Sequence, residues 1–179
     1  MLVILGVILI IALCIVIWYV GTSNRIRMSD MKISEALSGI DIALTKRHDV
    51  LMKMMDSVKA FQQYEADTFT KLVGIRMGMS MKERKDANRD MDKLSSEIRL
   101  LVENYPELKS RENYVALQRS IVDVEEHLQA SRRLYNSNVT AYNRYIITFP
   151  SSIVAGMMGA IQKQYFEAEN YKREDVQLF

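Results

Sequence analysis

The fold is decided by residues 114–149, which read YVALQRSIVDVEEHLQASRRLYNSNVTAYNRYIITF. Counting alternately three and four residues ahead from the first tyrosine gives a nearly unbroken apolar row: Tyr114, Leu117, Ile121, Val124, Leu128, Ser131, Tyr135, Asn138, Tyr142, Tyr145 and Phe149. A repeat that averages 3.5 residues is the seam of a helix packed lengthwise against other helices. Pro150 ends the row, because its ring and its missing N–H stop a helix. At ~1.5 Å per residue the helix is about 50 Å long, which predicts an elongated bundle.

A second row of the same spacing begins at Ile33 and predicts a helix over about residues 29–77. The end of this helix is marked by small residues: Gly74, Gly78 and Ser80. Gly39 lies inside the helix and costs about 1 kcal/mol relative to Ala, unless close helix packing uses the missing side chain. Arg47 and Glu65 interrupt the row. Either their stems are buried while the charges reach the edge of the seam, or the two residues join a buried polar network.

A third row, from Ala87 to Tyr105, predicts a shorter helix that stops near Asn104. It stops there because Pro106 disfavours helical geometry in the residue before it. The link of residues 107–112 is short, so we expect the next helix to be an antiparallel neighbour. With only 2 Pro and 7 Gly in 179 residues, the composition favours long helices over a turn-rich β fold.

The N-terminal stretch has the length and composition of a membrane anchor. Residues 1–21 carry no charged side chain, and the run is long enough to cross ~30 Å of hydrocarbon as a helix. Trp18 and Tyr19 lie at its C-terminal end, where amphipathic rings settle at headgroup depth. A cleaved signal peptide is one alternative, but no Lys or Arg precedes the run as such a signal requires. A lipoprotein signal ending at Cys14 is another, but Leu13 stands where a small residue is usual.

The charges next to the anchor predict its orientation. Arg25, Arg27 and Lys32 follow the run and none precede it, so the positive-inside rule places the N-terminus outside and the C-terminal part in the cytoplasm. The fold class is therefore all-α, with an N-terminal transmembrane helix followed by an elongated antiparallel helical bundle. The predicted domains are an anchor at 1–21, a linker at 22–28, a helical bundle at 29–168 and a C-terminal tail at 169–179.

Composition excludes several classes of function. With 24 Lys plus Arg against 22 Asp plus Glu, the net charge of +2 is too small for the counterion-release binding of a nucleic-acid partner. One Cys excludes an internal disulfide, and with 2 His it leaves no zinc set of Cys and His ligands. Neither His48 nor His127 has a Glu three residues before it, which excludes a di-iron bundle. There is also no Gly-rich phosphate loop and no G-x-S-x-G elbow, so we predict no enzyme, no cofactor and no metal.

Several short motifs resemble a known family. Residues 40–49, IDIALTKRHD, are similar to I-D-V-x-L-x-R-R-x-D, and residues 103–109, ENYPELK, are similar to E-x-Y-P-x-L-K. Glu125 with residues 131–136, SRRLYN, is similar to E-(x6)-R-R-x-Y-N, which is followed by a second Y-N at residues 142–143. In this order and over nearly the whole soluble part, the motifs resemble the LemA family of bacterial membrane-anchored helical proteins.

The resemblance implies an N-terminal transmembrane helix, a mainly helical bundle and no established chemistry. Some members of the family that the chain resembles are linked to forming or organising internal membranes, so the resemblance implies a role of this kind as one expectation. The chain departs from the family pattern at Leu37, Met52 and Glu126, where the family often has Trp, Pro and Asn. The change at Glu126 puts in doubt any polar contact that the family shares at that position.

Five motif residues are candidates for a polar network or a partner-binding site: Asp41, Arg47, Glu125, Arg132 and Asn136. The last three recur at intervals of seven and four residues, so they share one edge of their helix. Charged groups against an apolar seam need partners, because an unpaired buried charge costs several kcal/mol. We therefore expect Glu125 to pair with Arg47, or Arg132 with Asp41. The alternative is that these charges are independently solvated on the bundle surface.

After Pro150 the sequence predicts a helix over residues 152–167. Its apolar face is a candidate for closing the bundle or for contacting lipid: Ile153, Met157, Met158 and Ile161. The function predicted from the sequence is a single-pass membrane scaffold or adaptor, with the lipid bilayer and an unidentified protein as partners. Self-association is open, because heptad seams can be satisfied within one chain or between chains. An outward-facing envelope sensor or surface protein is the main alternative, and an enzyme of unknown type is a third.

Overall fold

The computed structural model describes residues 1–61, 79–109 and 111–166, which form two compact units. The first unit contains Met1–Ala36 and the chain from Leu134 onward, and the second contains Leu37–Arg133. The described residues form five helices: α1 (Leu2–Phe61), α2 (Met81–Glu103), α3 (Pro106–Lys109), α4 (Glu112–Ile147) and α5 (Ser151–Met157). No β-strand occurs in the described ranges, and the all-α class is confirmed.

α1 continues without a break from the apolar N-terminal run. The predicted linker at 22–28 is helical, so the prediction that a new helix begins near residue 29 is wrong. Gly21 costs only about 1 kcal/mol in a helix interior, and the segment contains no Pro. Thr22, Ser23 and Ile26 are buried, so packing in the first unit outweighs that cost. The predicted continuation to residue 77, with its end at Gly74 and Gly78, lies outside the described residues, as does the tail at 169–179.

The buried side of α1 follows the row read from the sequence. From Ile33 to Val58 its members are buried except for the half-buried Leu37: Ile33, Ile40, Leu44, Arg47, Leu51, Met54 and Val58. Burial of each large aliphatic side chain stabilises the fold by about 1.5–3 kcal/mol. Arg47 is the charged member of this buried row, so it needs partners.

Within the second unit, α2 runs in the same direction as α1, and α4 runs in the opposite direction. Asp41 of α1 pairs with Arg84 of α2, and further along both helices Arg47 pairs with Asp92. Contacts with α4 run in reverse, because Glu125 of α4 pairs with Arg47, whereas residue 131 lies opposite residue 39. The predicted antiparallel arrangement therefore holds for α4 but not for the pair of α1 and α2.

α2 begins and ends at side-chain and backbone caps. The Ser80 backbone N–H donates to Glu83 Oε2 at 2.6 Å, and the Glu83 N–H donates to Ser80 Oγ at 3.2 Å. The hydrogen bond from the Ser80 backbone lowers the pKa of Glu83. Ser80, which we expected to mark the end of the preceding helix, thus begins α2. The predicted stop at Asn104 is confirmed.

α4 begins and ends within two residues of its predicted bounds, but its buried face drifts from the predicted row. Beyond Tyr135 the buried apolar residues are Val139, Tyr142 and Ile146. A straight helix has 3.6 residues per turn, so it departs from a 3.5-residue row by about 20° per heptad. Phe149, the last member of the predicted row, lies beyond the end of α4 and is 77% exposed, so its assignment to the core was wrong.

α5 is much shorter than the helix predicted over residues 152–167. Gly159 has φ of +65°, a left-handed conformation that favours glycine. The N–H of Ala160 donates to the Ala155 carbonyl at 2.9 Å, and the N–H of Gly159 donates to the Gly156 carbonyl at 3.1 Å. This pair of hydrogen bonds is the Schellman motif, which ends a helix. Residues 160–166 follow without helical structure.

Candidate functional site

The charged network of the second unit is centred on Arg47, which is only 4% exposed. Its Nη1 donates to Asn88 Oδ1 at 2.8 Å, and its Nη2 donates to Asp92 Oδ1 at 2.6 Å. Its Nε lies 2.5 Å from Glu125 Oε1. The Nε–H does not point along that line, so this last contact is an ion pair without a hydrogen bond. One guanidinium from α1 thus contacts two helices, α2 and α4.

The solvent exposure of Asp92 and Glu125 determines how strongly each carboxylate attracts Arg47. Removing an arginine from water costs several kcal/mol, which charge-assisted hydrogen bonds must offset. Asp92 is 17% exposed and is reached by a short hydrogen bond, so its attraction to Arg47 is weakly screened. Glu125 is 36% exposed, so water screens its ion pair with Arg47 more strongly. The network therefore fixes the register of α1 against α2 more firmly than against α4.

A second ion pair joins α1 and α2 in the same unit. Arg84 Nε donates to Asp41 Oδ1 at 2.6 Å, and Arg84 Nη2 donates to Asp41 Oδ2 at 2.8 Å. This two-pronged geometry is the strongest form of arginine–carboxylate contact. Arg84 also donates to the backbone carbonyl of Met79.

The sequence offered two pairings as alternatives, and the structure contains the first of them. The structure brings Glu125 to Arg47, whereas Asp41 pairs with Arg84 rather than with Arg132. Arg132 is half-buried on α4. Arg84 was not among the predicted residues, although extending the apolar row of α2 three residues back from Ala87 reaches it.

Asn136 belongs to a different site, in the first unit. Its Nδ2 donates to the Phe166 carbonyl at 3.0 Å, and its Oδ1 accepts from the Phe166 N–H at 2.8 Å. Asn143 makes the same pair of bonds with the backbone of Lys163, at 2.9 and 2.8 Å. We call residues 160–166 the C-terminal strap. Asn136 and Asn143 are seven residues apart, which is ~10.5 Å along a helix, and their partners Lys163 and Phe166 are three residues apart, which is ~10 Å along an extended chain. The spacing of the two asparagines therefore matches the spacing of the strap residues that they bind.

Further contacts hold the strap to both long helices of the first unit. The hydroxyl of Tyr135 donates to the Gln164 carbonyl at 2.9 Å. Lys163 Nζ lies 2.8 Å from Asp30 Oδ1 on α1 and 5.7 Å from the centre of the Tyr142 ring. The hydrogen bond with Asp30 raises the pKa of Lys163, although partial burial opposes the shift. Burial raises the pKa of the Tyr142 hydroxyl, and the nearby Asp30 charge adds to the shift.

The predicted apolar face after Pro150 is mostly uncovered. Met157 and Ile161 are more than 70% exposed, Ile153 is also exposed, and Met158 is half-buried. The buried residues of α5 are instead Ser151, Val154 and Ala155. α5 therefore packs through the opposite face and leaves the candidate lipid-contacting residues accessible.

The described residues contain one helix that is long and apolar enough to cross a membrane. It is the N-terminal part of α1, whose most apolar 18-residue window has a mean hydropathy of 3.2 and no buried residue. In the same described ranges, no group of three or more His, Cys, Asp or Glu side chains is placed to hold a metal ion.

Comparison with known proteins gives the family. Residues 36–178 match the LemA family. The chain belongs to the LemA family. A LemA protein of Metamycoplasma hominis is 29% identical over 163 residues, which cover 88% of this chain and 74% of that protein. The magnetosome protein MamQ of Magnetospirillum gryphiswaldense is 30% identical over 66 residues, 37% of this chain and 24% of the relative. MamQ 2 of Paramagnetospirillum magneticum is 30% identical over 67 residues, so the chain spans about a quarter of either magnetosome protein.

The LemA-like motifs have identifiable places in the fold. The motif at residues 40–49 supplies Asp41 and Arg47 to the ion pairs of the second unit. The two Tyr-Asn pairs of α4 supply Asn136 and Asn143, which bind the strap. The proline of the motif at residues 103–109 begins α3. In this member of the LemA family, the motif residues described above thus hold the helices and the strap in place.

Proposed function

We propose that this chain is a single-pass membrane protein that acts as a non-enzymatic scaffold or adaptor beside the bilayer, with its helical part in the cytoplasm. The observation that carries the proposal is the bare apolar surface at the start of α1, where no residue of the most apolar window is buried. Soluble monomers rarely expose apolar patches beyond a few hundred Å², so this surface needs a cover. Its length and its terminal Trp18 and Tyr19 suit a bilayer.

The orientation is inferred from the charges that follow the run. Arg25, Arg27 and Lys32 lie within the first turns beyond Tyr19. Positively charged residues at this position favour the cytoplasmic side. Because α1 is continuous through this region, the cytoplasmic helical part is attached to the anchor by helix and not by a loose linker.

A scaffold needs a body that keeps its shape while it presents a surface. In the second unit, the Arg47 network and the Asp41–Arg84 pair hold three helices in one register. The same helices also expose apolar side chains: Ile42, Leu100 and Val122. These residues are the positions at which we expect a protein partner to bind.

Two experiments test this proposal. Washing the host membranes with alkaline carbonate should leave the full chain in the pellet, and its release would refute the anchor. Photo-crosslinking amino acids at Ile42 and Leu100 should capture a single protein that leaves the membrane fraction in cells lacking the chain and returns when the chain is restored. A captured protein whose location is independent of the chain would refute the scaffold role.

A further inference from the structure

A cleft in the first unit lies where α1 leaves the apolar run. It has a volume of about 540 Å³ and lies between α1 and the end of α4. Residues of three kinds line it, aromatic, basic and hydroxyl-bearing: Trp18, Arg25, Arg144, Thr22, Ser29 and Thr148. We call it the juxtamembrane cleft.

The position of the cleft along α1 matches the depth of lipid headgroups. This step rests on the membrane anchor in the proposed function. If Val20 ends the apolar run, Arg25 lies about 7.5 Å further along the helix axis. The headgroup region adds ~5–7.5 Å to each side of the hydrocarbon, so the Arg25 guanidinium is at the level of phosphate groups. Trp18, at the inner end of the cleft, is where interfacial tryptophans reside.

The charges of the cleft favour an anion. Arg25 and Arg144 are its positively charged lining residues, and no carboxylate lines it in the part of the chain that the structure describes. The Arg25 guanidinium lies 4.7 Å from the centre of the Tyr145 ring. Stacking occupies the face of a guanidinium, and its N–H donors at the edge stay available for two-pronged contact with phosphate.

An apolar surface adjoins the basic one. Phe149 lines the cleft and is mostly exposed, and α5 begins two residues later with Ile153 exposed. A ligand with an anionic head and an apolar tail would contact both surfaces. We propose that the juxtamembrane cleft binds an anionic phospholipid, with its phosphate between Arg25 and Arg144 and its acyl chains beside Trp18 and Phe149.

Trp18 is the only tryptophan in the sequence and lines the cleft, so a change in its fluorescence can be assigned to this site. The full-length protein in maltoside micelles, which contain no phosphate, is titrated with dihexanoyl-phosphatidylglycerol, with the matching phosphatidylcholine, and with soluble glycerol 3-phosphate. Trp18 fluorescence reports binding, and native mass spectrometry counts the lipids retained. We expect phosphatidylglycerol to bind about tenfold or more tighter than either competitor. Phosphatidylcholine carries a cation that offsets its phosphate beside the two arginines, and glycerol 3-phosphate lacks the acyl chains that would contact Trp18 and Phe149.

Three variants separate the cleft from general charge attraction. Arg25→Gln and Arg144→Gln should each weaken phosphatidylglycerol binding about tenfold. Arg27→Gln removes the same charge from a neighbouring position that does not line the cleft, and binding should stay within about twofold. Arg144 is exposed, so its substitution leaves the core intact.

Three results would overturn the inference: equal losses in Arg25→Gln and Arg27→Gln, equal affinity for the two lipids, or equal binding of glycerol 3-phosphate. The first would show general charge attraction, the second no headgroup selection, and the third a site for soluble anions. Release of the chain by carbonate would instead refute the anchor of the proposed function. Membrane retention without lipid selection would refute only the present inference.

Discussion

Replacing Arg47 by Met should destabilise the second unit more than any surface substitution. Methionine keeps much of the apolar stem but removes the charge and every donor. Asn88 Oδ1 and Asp92 Oδ1 then lose the hydrogen bonds that they accept at 2.8 and 2.6 Å, in a region where both residues are largely covered. Breaking a buried ion pair by removing one partner typically costs about 3–5 kcal/mol, which is a large part of the stability of an ordinary domain.

The contacts of Arg47 also predict how strongly it is coupled to Asp92 and to Glu125. The Arg47–Asp92 contact is a covered hydrogen bond, so a double-mutant cycle should give a coupling energy of about 1.5–3 kcal/mol. The Arg47–Glu125 contact involves a carboxylate that is 36% exposed, and it lacks an aligned N–H. Its coupling energy should be about 0.5–1 kcal/mol.

The assay is urea unfolding of the full chain in micelles, followed by circular dichroism at 222 nm. Arg133→Met is the matched control, because Arg133 is exposed on α4 in the same unit, and it should change the free energy of unfolding by less than about 0.5 kcal/mol. A triple variant that replaces Arg47, Asp92 and Glu125 by apolar residues should recover part of the loss, since the three charges of the network are removed together. A loss below about 1 kcal/mol for Arg47→Met, or a larger coupling to Glu125 than to Asp92, would show that buried hydrogen bonds to α2 are not what holds Arg47.

Three further predictions concern the strap, a glycine and pH. Asn143→Ala removes both hydrogen bonds to the Lys163 backbone, which should weaken the binding of the strap by about 1–3 kcal/mol and speed hydrogen exchange of the Lys163 amide. Amides of the second unit should exchange as before. Unchanged exchange at Lys163 would contradict the binding of the strap by Asn143. Gly39→Ala should raise the free energy of unfolding by up to about 1 kcal/mol, because the new Cβ would lie an ordinary 3.6 Å from the nearest side-chain atom. A lower free energy of unfolding, measured by urea, would contradict this. Asp30→Asn should lower the melting temperature slightly at neutral pH. Because the pKa of Lys163 is raised in the fold, the stabilisation by this pair is complete below its unfolded pKa of ~10.4 and is lost as pH rises through the raised value. The melting temperatures of the wild-type protein and of Asp30→Asn should then converge at alkaline pH. A difference in melting temperature that stays constant with pH would exclude the Asp30–Lys163 pair as its cause.

The sequence predicted those features that depend on periodicity. The apolar rows located both ends of α4 to within two residues and the end of α2 near Asn104, whereas α2 begins six residues before the first member of its row. A charged residue inside a row, Arg47, left two interpretations open, and the structure shows an ion pair with Glu125. These predictions succeed because burial of one helix face repeats at a fixed spacing. They fail where the spacing changes slightly, as at the buried Val139 and Ile146, because a straight helix does not hold a 3.5-residue row.

The strap was missed because nothing periodic marks it. Ile161 continues the apolar spacing of α5 in the sequence, so the pattern favoured a longer helix. The structure ends α5 at a Schellman motif instead, and Gly159 was the local signal for that end. Binding of the strap depends on asparagine side chains that pair with backbone groups of residues 20 and 30 positions away. Such long-range pairs have no signature in a single sequence.

We propose that a helical body in the cytoplasm is anchored by the start of α1. The most direct test places a short protease-cleavable tag after Phe179 and treats intact cells with a protease that cannot cross the membrane. We expect the tag to be protected until the cells are opened and then to be cut. Cleavage of the tag on intact cells would contradict the cytoplasmic placement and favour an outward-facing sensor or surface protein.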